Sequence, residues 1–148
     1  LFPLDKTTAD LNTDMVGRVD TERQSADSLN YVYVIGHDKL STDLPVINEA
    51  ANKESSNLTL DYKYDDPADK NMIYYRSDHY NFAKKGVPVL FFYDGMLLAD
   101  YHKPTDTIEK INFDLMQRRV KMIYYTAAEI ANRDEMLKRD LKLNMPAR

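Results

Sequence analysis

Three histidines, His37, His79 and His102, and the carboxylates around them are the residues of this chain best able to hold a metal or move a proton. His102 has the densest surroundings. Asp100-Tyr101-His102-Lys103-Pro104-Thr105-Asp106-Thr107 puts an imidazole, two carboxylates and a phenol into one short stretch. It follows the most apolar segment of the chain, and α/β proteins place ligand-binding loops at the carboxyl ends of such strands. A second stretch of this kind is Asn12-Thr13-Asp14-Met15-Val16-Gly17-Arg18, with Asp14 at the end of a strand-like segment. A carboxylate and an imidazole from adjacent strand ends suit zinc, although two ligands alone do not make a site. Ser77-Asp78-His79 invites a triad reading that geometry rejects. Consecutive side chains point in different directions, whereas a triad converges from separate segments. The chain also lacks the Gly-x-Ser-x-Gly turn that exposes a nucleophilic serine. Ser77 or Asp78 is read instead as a helix cap or as support for a ligand. His37, in Gly36-His37-Asp38 just past a strand, is read as a surface or capping residue.

Segments of two hydrophobic periods must position these groups. Thr7–Asp14 has β-branched residues and partial alternation and is expected to be a strand. Tyr31–Gly36 is apolar on both faces and is expected to be a central strand. The polar stretch Met15–Asn30 between them is long for a connection and leans toward a functional or surface loop. Ser41 or Thr42 caps a helix running to about Lys53, with Pro45 tolerated in its first turn. Leu58–Tyr64 alternates as an edge strand would. Ser77 or Asp78 starts a short helix that Gly86 ends in the left-handed cap position. Val87–Tyr93 is the strongest strand. Met116, Val120, Ile123, Ala127 and Ile130 recur at spacings of four and three, which places them on one face of a last helix capped by Asn112 or Asp114. Strands alternating with helices predict an α/β sandwich around a mixed, mostly parallel sheet. No linker or repeat divides the chain, so residues 1–148 are expected to contain no internal domain boundary.

Composition narrows the function classes. Twenty Lys and Arg against 24 Asp and Glu give a net charge of −4, which argues against nucleic acid or an anionic membrane as partner. The absence of cysteine removes thiolate metal sites and cysteine nucleophiles. Val87–Tyr93, broken by Pro88, is far too short to span a bilayer, so no membrane insertion is expected. Asn57-Leu58-Thr59 matches a glycosylation acceptor pattern but carries little weight without a eukaryotic secretory context.

Three blocks then occur in a telling order: Asn12-x-Asp14-Met15-x-Gly17-Arg18, Arg76-Ser77-Asp78-His79-x-x-Phe82-Ala83-x-x-Gly86-Val87-Pro88, and Asp100-Tyr101-His102-x-x-x-Asp106-Thr107. Together they resemble the co-catalytic zinc aminopeptidases of clan MH, a group that includes bacterial leucyl-type aminopeptidases, glutamate carboxypeptidases and glutaminyl cyclases. The resemblance implies a three-layer zinc-exopeptidase fold and hydrolysis of N-terminal residues from a peptide substrate. It implies two zinc ions in the complete enzyme, with Asp14 and His102 ligating different ions of the pair. Tyr74 falls where some members carry an oxyanion-stabilising tyrosine, and Met15 would lie near the substrate side-chain pocket. Arg76, Asp78 and Asp106 are candidates for orienting ligands or lining that pocket.

The departures are as informative. The family's His-x-Asp and Glu-Glu units, which supply three ligands and the general base, occur nowhere in the chain. Gly95-Met96-Leu97-Leu98-Ala99-Asp100 replaces a shorter Gly-x-His-x-Asp stretch. The expectation is therefore the C-terminal half of a catalytic domain, inactive alone and binding zinc weakly at most. The start at Leu-Phe-Pro-Leu, with no initiator Met, suggests a trimmed edge and a secreted or periplasmic parent. Half a sheet would also leave an open strand edge able to self-associate. Two rival readings are a non-catalytic peptidase-like interaction module and a glutaminyl-cyclase-like acyltransferase acting at a single zinc.

Overall fold

A computed structural model describes residues 3–27, 29–66 and 68–143. Four strands form one sheet: β1 (Asp10–Thr13), β2 (Tyr31–Ile35), β3 (Thr59–Asp61) and β4 (Val89–Tyr93). Their order is β1-β4-β2-β3, with β1 parallel to β4, β2 parallel to β3, and β2 antiparallel to β4. The sheet is mixed and mostly parallel, as expected. Every residue of β2 and β4 is buried, which is why both read as continuous apolar runs rather than alternating ones. The edge strands β1 and β3 carry no fully buried residue.

Two apolar layers cover the sheet. On one face Val32, Val34, Leu90 and Phe92 pack against α1 (Asp43–Ser55) and α3 (Phe113–Ala131) through Leu44, Leu115 and Met122. On the other face Tyr31, Tyr33, Phe91 and Tyr93 meet Tyr64, Tyr74 and Ala83 of the short helix α2 (His79–Ala83). The period of two along β2 and β4 thus sends alternate side chains into separate cores. Each large side chain so buried contributes roughly 1.5–3 kcal/mol. The result is the three-layer sandwich. Among the described residues, no helix is long and apolar enough to cross a membrane.

Caps and breaks follow local chemistry. Asn112 accepts a hydrogen bond from Leu115 N–H at 3.0 Å and starts α3. Gly86 has φ of 77° after α2, the left-handed conformation expected for it. α1 begins as predicted and runs two residues further, to Ser55. Thr42 stands at its N-cap position, but its hydroxyl donates to Asp140 at 2.6 Å instead of capping. The strand expected over Leu58–Tyr64 stops at Asp61, whose carboxylate accepts from Lys63 N–H at 2.9 Å and turns the chain into a 3-10 segment.

The core-facing stripe of α3 is corrected. Leu115, Arg119, Met122, Thr126 and Ile130 are buried, whereas Val120 is 44% exposed and Met116, Ile123 and Ala127 lie at the boundary. Two polar residues occupy that stripe because their polar atoms find buried partners. Thr126 donates to Asn48 and Met122 oxygens. Arg119 donates to the carbonyls of Tyr31, Val16 and Arg18 at 2.8–2.9 Å.

Candidate functional site

Parallel pairing of β1 and β4 brings their carboxyl ends to the same end of the sheet. Asp14 leaves β1 directly after Thr13, and the segment carrying His102 follows β4. Backbone bonds join the two exits: Asp14 N–H donates to Phe92 O at 3.4 Å and Asp94 N–H to Met15 O at 2.8 Å. The antiparallel strand β2 ends at the opposite end, which keeps His37 away from this site.

Asp14 is exposed, and its Oδ2 accepts from the Ser77 hydroxyl at 2.7 Å. The Ser77 oxygen accepts in turn from Asn12 Nδ2 at 2.8 Å. This relay fixes one carboxylate oxygen of Asp14, and among the described residues no cation pairs with the other. Ser77 therefore supports a candidate ligand. His102 is also exposed, with its ring stacked on Tyr101 at 3.9 Å. Its φ is 56° and that of Met15, next to Asp14, is 59°. Such conformations cost non-glycine residues of order 1–3 kcal/mol and concentrate at functional sites.

Two clefts flank the Asp14–Met15 segment. A narrow one of about 20 Å³ lies among Asp14, Arg76, Phe91, Tyr93 and Tyr101. A broader one of about 560 Å³ runs past Met15, Met96, Asp106, Ile111 and Met116. Met15 lines both. Arg76 reaches Tyr101, with Nη2 3.4 Å from the phenol oxygen and the guanidinium 5.5 Å from the ring centre. Asp106 forms an ion pair with Arg18. Asp78 is exposed at the N-cap position of α2 and makes no side-chain cap bond; burial, with its charge second, raises the Asp10 carboxyl.

Tyr74 is only 1% exposed, packed edge-on against His79 and Tyr80. Its hydroxyl is buried without a hydrogen-bond partner among the described residues, and burial pushes the phenol well above its ordinary range. Two tyrosines line the narrow cleft, and of these Tyr93 buries its hydroxyl whereas Tyr101 adjoins the candidate ligand His102 in sequence. Its position beside His102 was the one sequence signal for it.

His79 lies beneath the site, fully buried and stacked on Phe91 at 4.5 Å. Neither ring nitrogen has a well-formed hydrogen bond among the described residues. Burial pulls its pKa from 6.5 down to about 4, against the opposing pull of the Tyr74 backbone and of Asp14, Asp65 and Asp78. The unfolded chain then takes up a proton that the folded chain refuses. The stabilisation is complete above pH 6.5 and is lost as pH falls toward about 4, by up to about 3 kcal/mol. Denaturant titrations from pH 4 to 7 should show that slope in the native protein and a weaker one in His79→Phe. Equal slopes would refute the assignment.

Asp14 and His102 are thus a carboxylate and an imidazole, exposed and, among the described residues, without ion-pair partners, which is the donor chemistry zinc accepts. They fit that metal as a partial set. Among the described residues, the one group of three or more such ligands within reach of each other is His37, Asp38 and Asp65. There Lys39 already supplies a cation, pairing with Asp38 and, at 3.2 Å, with Asp65. His37 itself pairs with the buried Asp65 and stacks on Tyr62 at 3.9 Å, so it is a mostly covered, ion-paired residue and not the surface or capping residue expected.

Among known proteins, the sequence profile of peptidase family M28 matches residues 2–127. No curated protein and no solved structure matches the chain.

Proposed function

We propose, from the premise that this chain belongs to peptidase family M28, that it supplies Asp14 and His102 to the two-zinc centre of an aminopeptidase. The supporting observation is the parallel pairing of β1 with β4: Asp14 leaves β1, and the segment leading to the exposed His102 leaves β4, at the same end of the sheet. Zinc, when bound, supplies Lewis acidity toward the scissile carbonyl and the attacking water. The chain's own residues orient and recognise. Asn12 and Ser77 hold the Asp14 carboxylate in one pose. Met15 lies between the two clefts, where a substrate side chain would contact it. An oxyanion needs a donor at the cleft surface. Tyr101 lies there, so it takes the role that the resemblance suggested for Tyr74.

These 148 residues contain neither His-x-Asp nor Glu-Glu, so they hold one ligand per zinc and no carboxylate base of the family's kind. Alone they should be inactive. In a chromogenic amino-acid anilide assay with added zinc, the chain alone is expected to show no turnover above buffer. Fusion to a segment bearing His-x-Asp and Glu-Glu should confer turnover that a chelator removes. Turnover by the chain alone, abolished by chelator and by Asp14→Ala, would overturn this reading of the part it plays.

A further inference from the structure

We propose that Arg18 is a positioning residue that clasps the two ends of the loop carrying His102 and ties that loop to the segment carrying Asp14. Its Nη2 lies 2.8 Å from Asp100 Oδ2, two residues before His102. Its Nη1 lies 2.5 Å from Asp106 Oδ1, four residues after it. One planar guanidinium thus spans both flanks of a loop whose central residue holds a left-handed backbone conformation. A fork of fixed geometry suits this task, because a point-charge ammonium cannot serve two carboxylates in the same way.

The clasp is itself anchored. Arg18 N–H donates to the buried Asp94 carboxylate at 2.8 Å, and Arg18 O accepts from Arg119 Nη1 at 2.8 Å. Lys110 binds the other oxygen of Asp100 at 2.8 Å. Two cations therefore meet two carboxylates. Arg18 is four residues beyond Asp14, so one residue couples the placements of both candidate ligands. His102 makes no hydrogen bond of its own among the described residues, and its stacking on Tyr101 stays inside the loop. Lys110 holds Asp100 and Arg76 reaches Tyr101, but Arg18 alone among these contacts grips the loop on both sides of His102.

The inference rests on reading Asp14 and His102 as zinc ligands, and the test separates the two ideas. Hydrogen exchange of residues 100–107 would be followed in the metal-free full-length protein, and zinc affinity by calorimetry, for wild type, Arg18→Met, Arg18→Lys and Asp106→Asn. Loop exchange is expected to quicken at least about tenfold in Arg18→Met, with α3 protection unchanged. Zinc affinity at the His102 ion should fall about 10- to 100-fold, the usual cost of losing a residue that orients a ligand. Arg18→Lys, able to serve one carboxylate at a time, should fall between. Asp106 is exposed, so Asp106→Asn tests the clasp even where Arg18→Met fails to fold. Unchanged loop exchange in the folded variants would overturn the clasp, and a loosened loop with undiminished zinc affinity would overturn its positioning role. A wild type that binds no zinc, while the loop still loosens in the variants, would sink the metal reading and leave the clasp standing.

Discussion

Asp14→Ala and His102→Ala, each made in the chain fused to a segment bearing His-x-Asp and Glu-Glu, should remove one zinc ion apiece and leave the fold intact. Affinity for that ion is expected to fall by at least about 100-fold, since residues that merely orient ligands already cost 10- to 100-fold. Both side chains are exposed, and among the described residues neither takes part in an ion pair. Their removal should therefore move the unfolding free energy by no more than about 0.5 kcal/mol. That contrast is the diagnostic: metal analysis should report one ion lost in each variant while the melting temperature of the metal-free protein holds. Ser77→Ala should weaken the Asp14 ion to a lesser degree, because it removes only the hydroxyl at 2.7 Å that orients the carboxylate. Full zinc occupancy in Asp14→Ala would exclude Asp14 as a ligand.

Arg119→Met should produce the opposite pattern, a large loss of stability from a residue outside the cleft. Arg119 is fully buried, and its guanidinium lies 4.8 Å from the Tyr31 ring centre. It donates to the carbonyls of Tyr31, Val16 and Arg18. Burial lowers its pKa, with the nearby Tyr31 and Asp94 working the other way. Methionine fills much of the same space but withdraws the Arg119 donors from three carbonyls, two of them in buried bonds. Each such orphan costs roughly 1–3 kcal/mol, so a total of about 3 kcal/mol or more is expected. The melting temperature should drop by roughly 6–12 °C at about 2–4 °C per kcal/mol. Val120→Ser, one residue along, should cost less than about 0.5 kcal/mol because Val120 is 44% exposed. Equal losses in the two variants would restore the apolar stripe through Val120 and displace the one through Arg119.

That pair of variants shows where sequence patterning stops. Periodicity located the last helix and its Asn112 cap, because both are local. It then chose the apolar stripe through Met116, Val120 and Ile123, since apolar character is the signal that periodicity reads. The buried face instead runs through Arg119 and Thr126. Their burial depends on acceptors 88 to 103 residues away for Arg119 and on Asn48 for Thr126, and no local window contains them. β3 was shortened for a different reason: the Asp61 carboxylate competes for the backbone and turns it before the alternating pattern ends.

The candidate site divides along the same line. Asp14, His102 and Ser77 stand in blocks whose residue order is specific, so they could be singled out as candidates without coordinates. Tyr74 and Tyr101 could not be told apart that way, because one hydroxyl lies beneath the narrow cleft and the other tyrosine lines it. Arg18 appeared in the motif without a role, since its partners Asp100 and Asp106 are more than eighty residues distant.

The sequence by itself determined the apolar runs of the two central strands, the Asn112 helix cap and the α/β class, and it supplied Asp14 and His102 as the candidate ligands. These follow from residue chemistry and from spacings within a few turns of backbone. Only the tertiary structure decided that the strands order as β1-β4-β2-β3, which places Asp14 and the start of the segment leading to His102 at one end of the sheet and His37 at the other. It also decided that Arg119 belongs in the core and that Arg18 clasps the His102 loop. A charged group can occupy such positions only when acceptors from distant parts of the chain offset its desolvation, and that matching exists only once the chain has folded.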